Sequence, residues 1–171
     1  MSSAVSRLLE EHQLIRKFSS ALQWLSIRLG SNSSVDEDFV DATFKFLDFI
    51  SGCHHEREEA IVFPALRGVA QDLVKEAIEE HRLFLQLSND LKGAMSDGDL
   101  AKASDVAARI SSLLLNHIQW EEAGLLAMAE ASLPDELKDE ISRELSAPRE
   151  GCSTEEAERH LETIISAMSG G

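Results

Sequence analysis

Helical periodicity runs through nearly all of this 171-residue chain and breaks in only a few places. There are three prolines and no tyrosine, and no β-branched or aromatic run bounded by turn residues reads as a strand. The breaks fall at Gly30-Ser31-Asn32-Ser33-Ser34, near Pro64-Ala65-Leu66-Arg67-Gly68, at Asp97-Gly98-Asp99 and at Ser132-Leu133-Pro134. Glycine and small polar residues end helices at such points, and Asp99 or Asp135 can cap the next one. Four long helical segments result, over about residues 4–29, 36–67, 70–96 and 99–131. Long helices joined by short connections predict an all-α, up-and-down antiparallel four-helix bundle occupying residues 1–132. The remaining residues, 133–171, predict a C-terminal helical extension packed on the outside of that bundle. One of its helices runs from Asp135 to Ser146, and another starts at the capping box Ser153-Thr154-Glu155-Glu156.

Charge and cysteine usage narrow the partners. Acidic residues outnumber basic ones 31 to 16, a net charge of −15 that repels phosphate backbones and anionic lipid. Nucleic-acid and membrane partners are therefore not expected. No stretch approaches the roughly 18 consecutive apolar residues of a membrane span, and the N-terminus lacks the basic and apolar regions of a secretory signal. Cys53 and Cys152 have no CxxC partners, which removes zinc-ribbon and thioredoxin-like readings. Without a signal sequence they read as free thiols in a reducing, cytoplasmic setting, with Cys53 a buried inert thiol.

The histidines carry the chemistry. On the inward stripes of the four segments stand His12, His54, His81 and His117, one per helix, with Glu58 and Glu121 one turn beyond the second and fourth. Burying two carboxylates without partners costs several kcal/mol each, so the cluster needs a cation or an extensive hydrogen-bond network. Axial positions agree. His12 lies 18 residues before Gly30 and His54 lies 18 after Asp36, while His81 is 16 before Asp97 and His117 is 18 after Asp99. At a rise of roughly 1.5 Å per residue, antiparallel hairpins bring these side chains to one level. The motif also repeats, as His54-x-x-x-Glu58-Glu59 and His117-x-x-x-Glu121-Glu122. That spacing stacks imidazole and carboxylate on one face, an arrangement suited to a terminal ligand beside a bridging one. The remaining neighbours read as supporting or surface groups. Glu59 and Glu122 read as outer partners, Glu10, Glu11, Glu79 and Glu80 as solvated flanks, and His160 as a surface residue. Trp24 and Trp120 read as packing residues.

Residues 4–131 resemble the hemerythrin-like HHE cation-binding family. The resemblance rests on Glu-Glu-His12-x-x-Ile-Arg, His54-x-x-x-Glu58-Glu-x-x-x-Phe-Pro, Glu-Glu-His81 and His117-x-x-x-Glu121-Glu. It implies a non-heme di-iron site, with the iron ions held by His12, His54, Glu58, His81, His117 and Glu121. It also implies a small ligand or oxidant: dioxygen, peroxide or nitric oxide. Oxygen carriers of that family place two histidines four apart on the third helix, where this chain has Ala77 and Leu85 around His81. The resulting site is more open, and His55 is the candidate for an additional ligand, flanking hydrogen bonding being its other reading. A more open site favours sensing, redox turnover or iron handling over reversible oxygen storage. An iron-responsive or iron-handling module, or a helical domain with a structural metal, are the alternative classes. A ferritin-like site requires Glu-x-x-His, but the residues three before each histidine are Leu9, Ser51, Gly52, Ile78, Leu114 and Ala157. Imidazole and carboxylate without thiolate suit iron or manganese. A mononuclear zinc site takes four ligands, fewer than the six candidates here.

Overall fold

A computed structural model describes residues 4–170, which form helices and connecting turns; no strand occurs among the described residues. Helix α1 spans Ser6–Gly30. Asp36 caps the next helix, its carboxylate accepting from the backbone N–H of Asp38 (2.8 Å) and Phe39 (3.4 Å), and α2 follows over Glu37–Phe49. The same rod continues through two π-helical segments, Ile50–His55 and Glu58–Val62, into α3, Phe63–Ser96. The chain turns back at Ala70, whose φ of −145° and ψ of 39° lie outside the helical region.

The second and third rods therefore meet at Ala70, not at Pro64–Gly68 where the sequence suggests a break. Proline normally interrupts a helix because it lacks an N–H and its ring clashes with the preceding turn. Here Pro64 is separated by one residue, Phe63, from the end of a π segment, where the i→i−4 ladder is already opened. The helix passes through it.

After the turn at Gly98, Asp99 accepts from Lys102 N–H at 3.0 Å and starts α4, Leu100–Glu121. A third π segment, Glu122–Leu126, leads into α5, Ala127–Ser132. The tail forms α6, Asp135–Ser146, and α7, Thr154–Ser169. The Ser153 hydroxyl accepts from Glu156 N–H at 3.1 Å, as the capping box requires.

The core is split in two. One apolar half gathers Phe18, Leu22, Phe46, Leu47, Ile50, Phe84, Leu91, Ile110 and Leu114. The other gathers Leu8, Val62, Phe63, Leu66, Val74, Leu125 and Leu126. A buried polar layer of histidines and glutamates separates them along the rods. The buried serines within the apolar half are satisfied by helix carbonyls: Ser19 donates to Ile15 at 3.0 Å, Ser88 to Phe84 at 2.8 Å and Ser111 to Ser19 at 2.8 Å.

Each tail helix seals a different half. Ile141 and Leu145 of α6 join the half around Phe63, whereas Ala157, Leu161 and Ile164 of α7 join the half around Phe46. Helix α7 lies against both α1 and α2, so residues 147–153 cross the level of the polar layer. Leu161 is buried and belongs to the main core. Replacing it with Ala is expected to cost about 2–4 kcal/mol in urea unfolding of the whole chain. An unchanged main transition would mean that α7 is an appendage and not part of the cooperative unit.

Candidate metal centre

Each of the four rods contributes to the polar layer, and His12, His54, Glu58, His81, His117 and Glu121 all lie in it, at most 5% exposed. His12 Nε2 stands 3.6 Å from both Glu58 Oε1 and Glu121 Oε2. His54 Nε2 is 3.3 Å from Glu58 Oε1, and His81 Nε2 is 3.4 Å from Glu58 Oε2. His117 Nε2 is 3.4 Å from Glu121 Oε2 and 3.2 Å from His81 Nε2. Glu58 thus sits between His12 and His54 on one side and His81 on the other.

The π segments shape this layer. They contain His54, His55 and Glu58 on the second rod and begin immediately after Glu121 on the fourth. In an α-helix, successive residues point about 100° apart, which would turn His55 away from His54. The wider i→i+5 turn reduces that rotation. His55 is 4% exposed, its ring stacked on His81 at 3.8 Å between centroids and edge-on to Phe84 and His117. Two groups of donor atoms result, each with members within 4.8 Å of one another: His12, His54, Glu58 and Glu121, and His55, Glu58, His81 and His117.

Apart from the paired Nε2 atoms of His81 and His117, the donor atoms facing the layer lack hydrogen-bond partners. His12 Nε2, His54 Nε2, both nitrogens of His55 and both carboxylate oxygens of Glu58 and of Glu121 are buried and unpaired. An orphaned buried polar atom costs about 1–3 kcal/mol, more when charged. So many converging on one volume fit a cationic occupant in place of the missing donors.

The outward nitrogens of His12, His54, His81 and His117 are all held. His54 Nδ1 donates to Glu11 at 2.9 Å, His81 Nδ1 to Glu59 at 2.8 Å, His117 Nδ1 to Glu80 at 2.6 Å and His12 Nδ1 to Glu122 at 3.0 Å. Each accepting glutamate adjoins a residue of the layer in sequence: Glu11 precedes His12, Glu59 follows Glu58, Glu80 precedes His81 and Glu122 follows Glu121. Every rod therefore grips the imidazole of the next, from first to second, third, fourth and back to the first. A carboxylate that accepts from Nδ1 fixes the tautomer and leaves the Nε2 lone pair facing inward, the usual arrangement behind a metal-bound imidazole. Glu59 and Glu122 take the outer positions read for them from sequence. Glu11 and Glu80 do not: Glu11 is fully buried and Glu80 is about one-third exposed. Glu10 and Glu79 are exposed, as read.

Protons share the layer unevenly. Burial pushes Glu58 up, but His54, His12 and His81 outweigh it and hold its carboxyl well below the usual range. Burial and then the charge of Glu58 push Glu121 well above that range. Burial favours neutral His54 and His81, yet Glu58 with Glu11, and Glu58 with Glu59, raise them above the ordinary value. His55 falls well below it through burial and the His81 charge, and His117 is lowered chiefly by burial.

A pH response of the metal-free chain follows. The groups with raised values, His54 and His81, contribute stability that is present below the unfolded value of 6.5 and lost as pH rises through the folded one. The lowered His55 and His117 add stability as pH rises through 6.5 and level off about one unit above it. Thermal unfolding of the metal-free chain should therefore show stability declining between about pH 7.5 and 8.5, where only the groups with raised values still titrate. A rise over that window would contradict the raised values.

The cysteines correct the expectation of free thiols. Cys53 and Cys152 are joined in a disulfide that ties the residue before His54 to the segment before α7. The pairing was not legible because 99 residues separate them and only the fold of the tail brings them together. It removes the free-thiol argument for a reducing compartment. No helix among the described residues is long and apolar enough to cross a membrane. His160 lies in α7 beside Glu156, away from the layer.

The family model described as the Hemerythrin HHE cation binding domain matches residues 3–129, and the chain belongs to that family. Comparisons with curated proteins and with solved structures gave no match.

Proposed function

We propose that the polar layer holds two iron ions and presents them to a small diatomic or peroxide ligand. The reading is carried by the unpaired donor atoms of His12, His54, His55, Glu58 and Glu121 converging on one buried volume. Imidazole and carboxylate with no thiolate suit iron, and manganese or zinc are the ions that could substitute for it. His12 and His54 would serve one ion and His55, His81 and His117 the other, with Glu58 and Glu121 between them. Five imidazoles and two bridging carboxylates leave about three of the roughly twelve positions of two octahedral ions for solvent and ligand. A pair of iron ions in such a site supplies electrons and an exchangeable position for dioxygen, peroxide or nitric oxide.

The chain's own work is positional. The glutamate ring holds the imidazoles of His12, His54, His81 and His117 each in one tautomer, and the apolar halves above and below exclude bulk water, which strengthens electrostatic interactions within the layer. His55 supplies the imidazole that the third helix lacks, from the second helix instead.

Metal analysis of anaerobically purified protein tests this directly. Two irons per chain, with a near-ultraviolet charge-transfer band after exposure to air, are expected; substoichiometric zinc without such a band would refute the reading. Glu58→Ala should lose both ions, and His55→Ala should reduce retention to about one. Glu80→Gln should weaken metal affinity by about 10–100-fold in competition with a chelator. Full iron in Glu58→Ala would show that other residues hold it.

A further inference from the structure

The four glutamates of the ring are not equivalent. Glu59, Glu80 and Glu122 have side chains between 28 and 41% exposed, whereas Glu11 is fully buried. It is the tail that covers it. Arg57, itself buried, donates from Nη1 to Glu11 and from Nη2 to the carbonyl of Cys152 at 3.2 Å. The Thr154 hydroxyl donates to Glu11 at 3.4 Å and in turn accepts from Arg7. The carboxylate that orients His54 is therefore packed against the segment that the disulfide anchors.

A cavity of about 440 Å³ opens beside that disulfide, with both cysteines in its wall. Cys53 is buried, but Cys152 is partly exposed, so an incoming sulfur reaches Cys152 first. Lys45, Asp48, Glu150, Glu156 and His160 line the approach, an acidic balance that disfavours anionic monothiols.

We propose that Cys53–Cys152 is a thiol-exchange site, opened by a neutral dithiol entering this cavity, and that its opening frees α7 and the 147–153 strap from the Glu11–Arg57 pair behind His54. The exchange balances. A thiolate of the dithiol attacks Cys152 Sγ, a mixed disulfide forms, and Cys53 leaves as a thiolate that takes a proton. The second thiol then attacks the mixed disulfide, its own proton passes to the departing Cys152 sulfur, and the reductant departs as a disulfide. Two electrons reach the protein. The effect on metal rests on the two-ion reading above; the opening of the strap does not.

The test separates the two. Metal-free full-length chain, without denaturant, is treated with dithiothreitol or with glutathione at equal thiol concentration. Two free thiols are expected with dithiothreitol, forming at least tenfold faster than with glutathione, and amide exchange across residues 157–164 should accelerate at least tenfold. Thiols that emerge only in denaturant, or form without any change in exchange, overturn the proposal. A second arm needs no reductant: the oxidised wild type and a Cys53→Ser/Cys152→Ser variant are loaded with iron and challenged with a chelator. The variant should release iron at least fivefold faster, and equal rates overturn the link to His54. If the oxidised wild type binds no metal, the two-ion reading fails, and the exchange data alone decide the strap.

Discussion

Two glutamates buried among five histidines, halfway along an apolar bundle, set the terms for everything around them. Taking Glu58 and Glu121 out of water costs several kcal/mol per ion, and neither carboxylate has a hydrogen-bond donor to offset it. In the absence of metal the layer compensates with protons. Glu121, His54 and His81 are pushed toward holding one, while Glu58 is pushed toward ionisation. That arrangement removes the like-charge conflict between the two carboxylates but leaves inward lone pairs unmatched. Two cations would satisfy the same atoms at once, which is why the layer is better understood as a receptor for metal than as a self-contained hydrogen-bond network.

The outer glutamates extend this logic to the bundle as a whole. Since each rod's carboxylate grips the next rod's imidazole, sliding any rod along its axis would break two charge-assisted bonds, one given and one received. A turn of helix advances about 5.4 Å, far beyond the reach of hydrogen bonds at 2.6–3.0 Å. The ring therefore fixes register as well as tautomer. Apolar packing above and below could tolerate alternative registers; this closed circuit cannot.

Much of this was legible in the sequence, for a definite reason. His12, His54, His81, His117, Glu58 and Glu121 lie on apolar stripes, and counting residues to the turns at Gly30–Asp36 and Asp97–Asp99 is enough to place them at one level. What escaped was everything that departs from ideal helical geometry or depends on partners distant in sequence. His55 points inward only because π segments rewind the second rod, and no 3.6-residue template contains that. Glu11 and Glu80 look like solvated flanks because each serves a histidine on another rod. A clue was present all the same: the ligand-plus-glutamate doublet occurs on all four helices. The turn at Ala70 and the disulfide likewise follow from tertiary packing that local signals do not encode.

The tail breaks the near-symmetry of the layer. Around the ring, three of the four glutamates meet solvent at the bundle surface, where water can moderate their charge. Glu11 instead lies under residues 152–154, paired with Arg57 and Arg7, and those cations with His54 hold it ionised despite burial. The His54 side of the layer is thus dry and fixed by contacts from outside the bundle, whereas the His81 and His117 side is tuned by carboxylates open to water. The two donor groups of the layer consequently differ in electrostatics and rigidity. That difference originates in what the C-terminal segment packs against, and it adds to the difference in donors, two histidines in one group and three in the other.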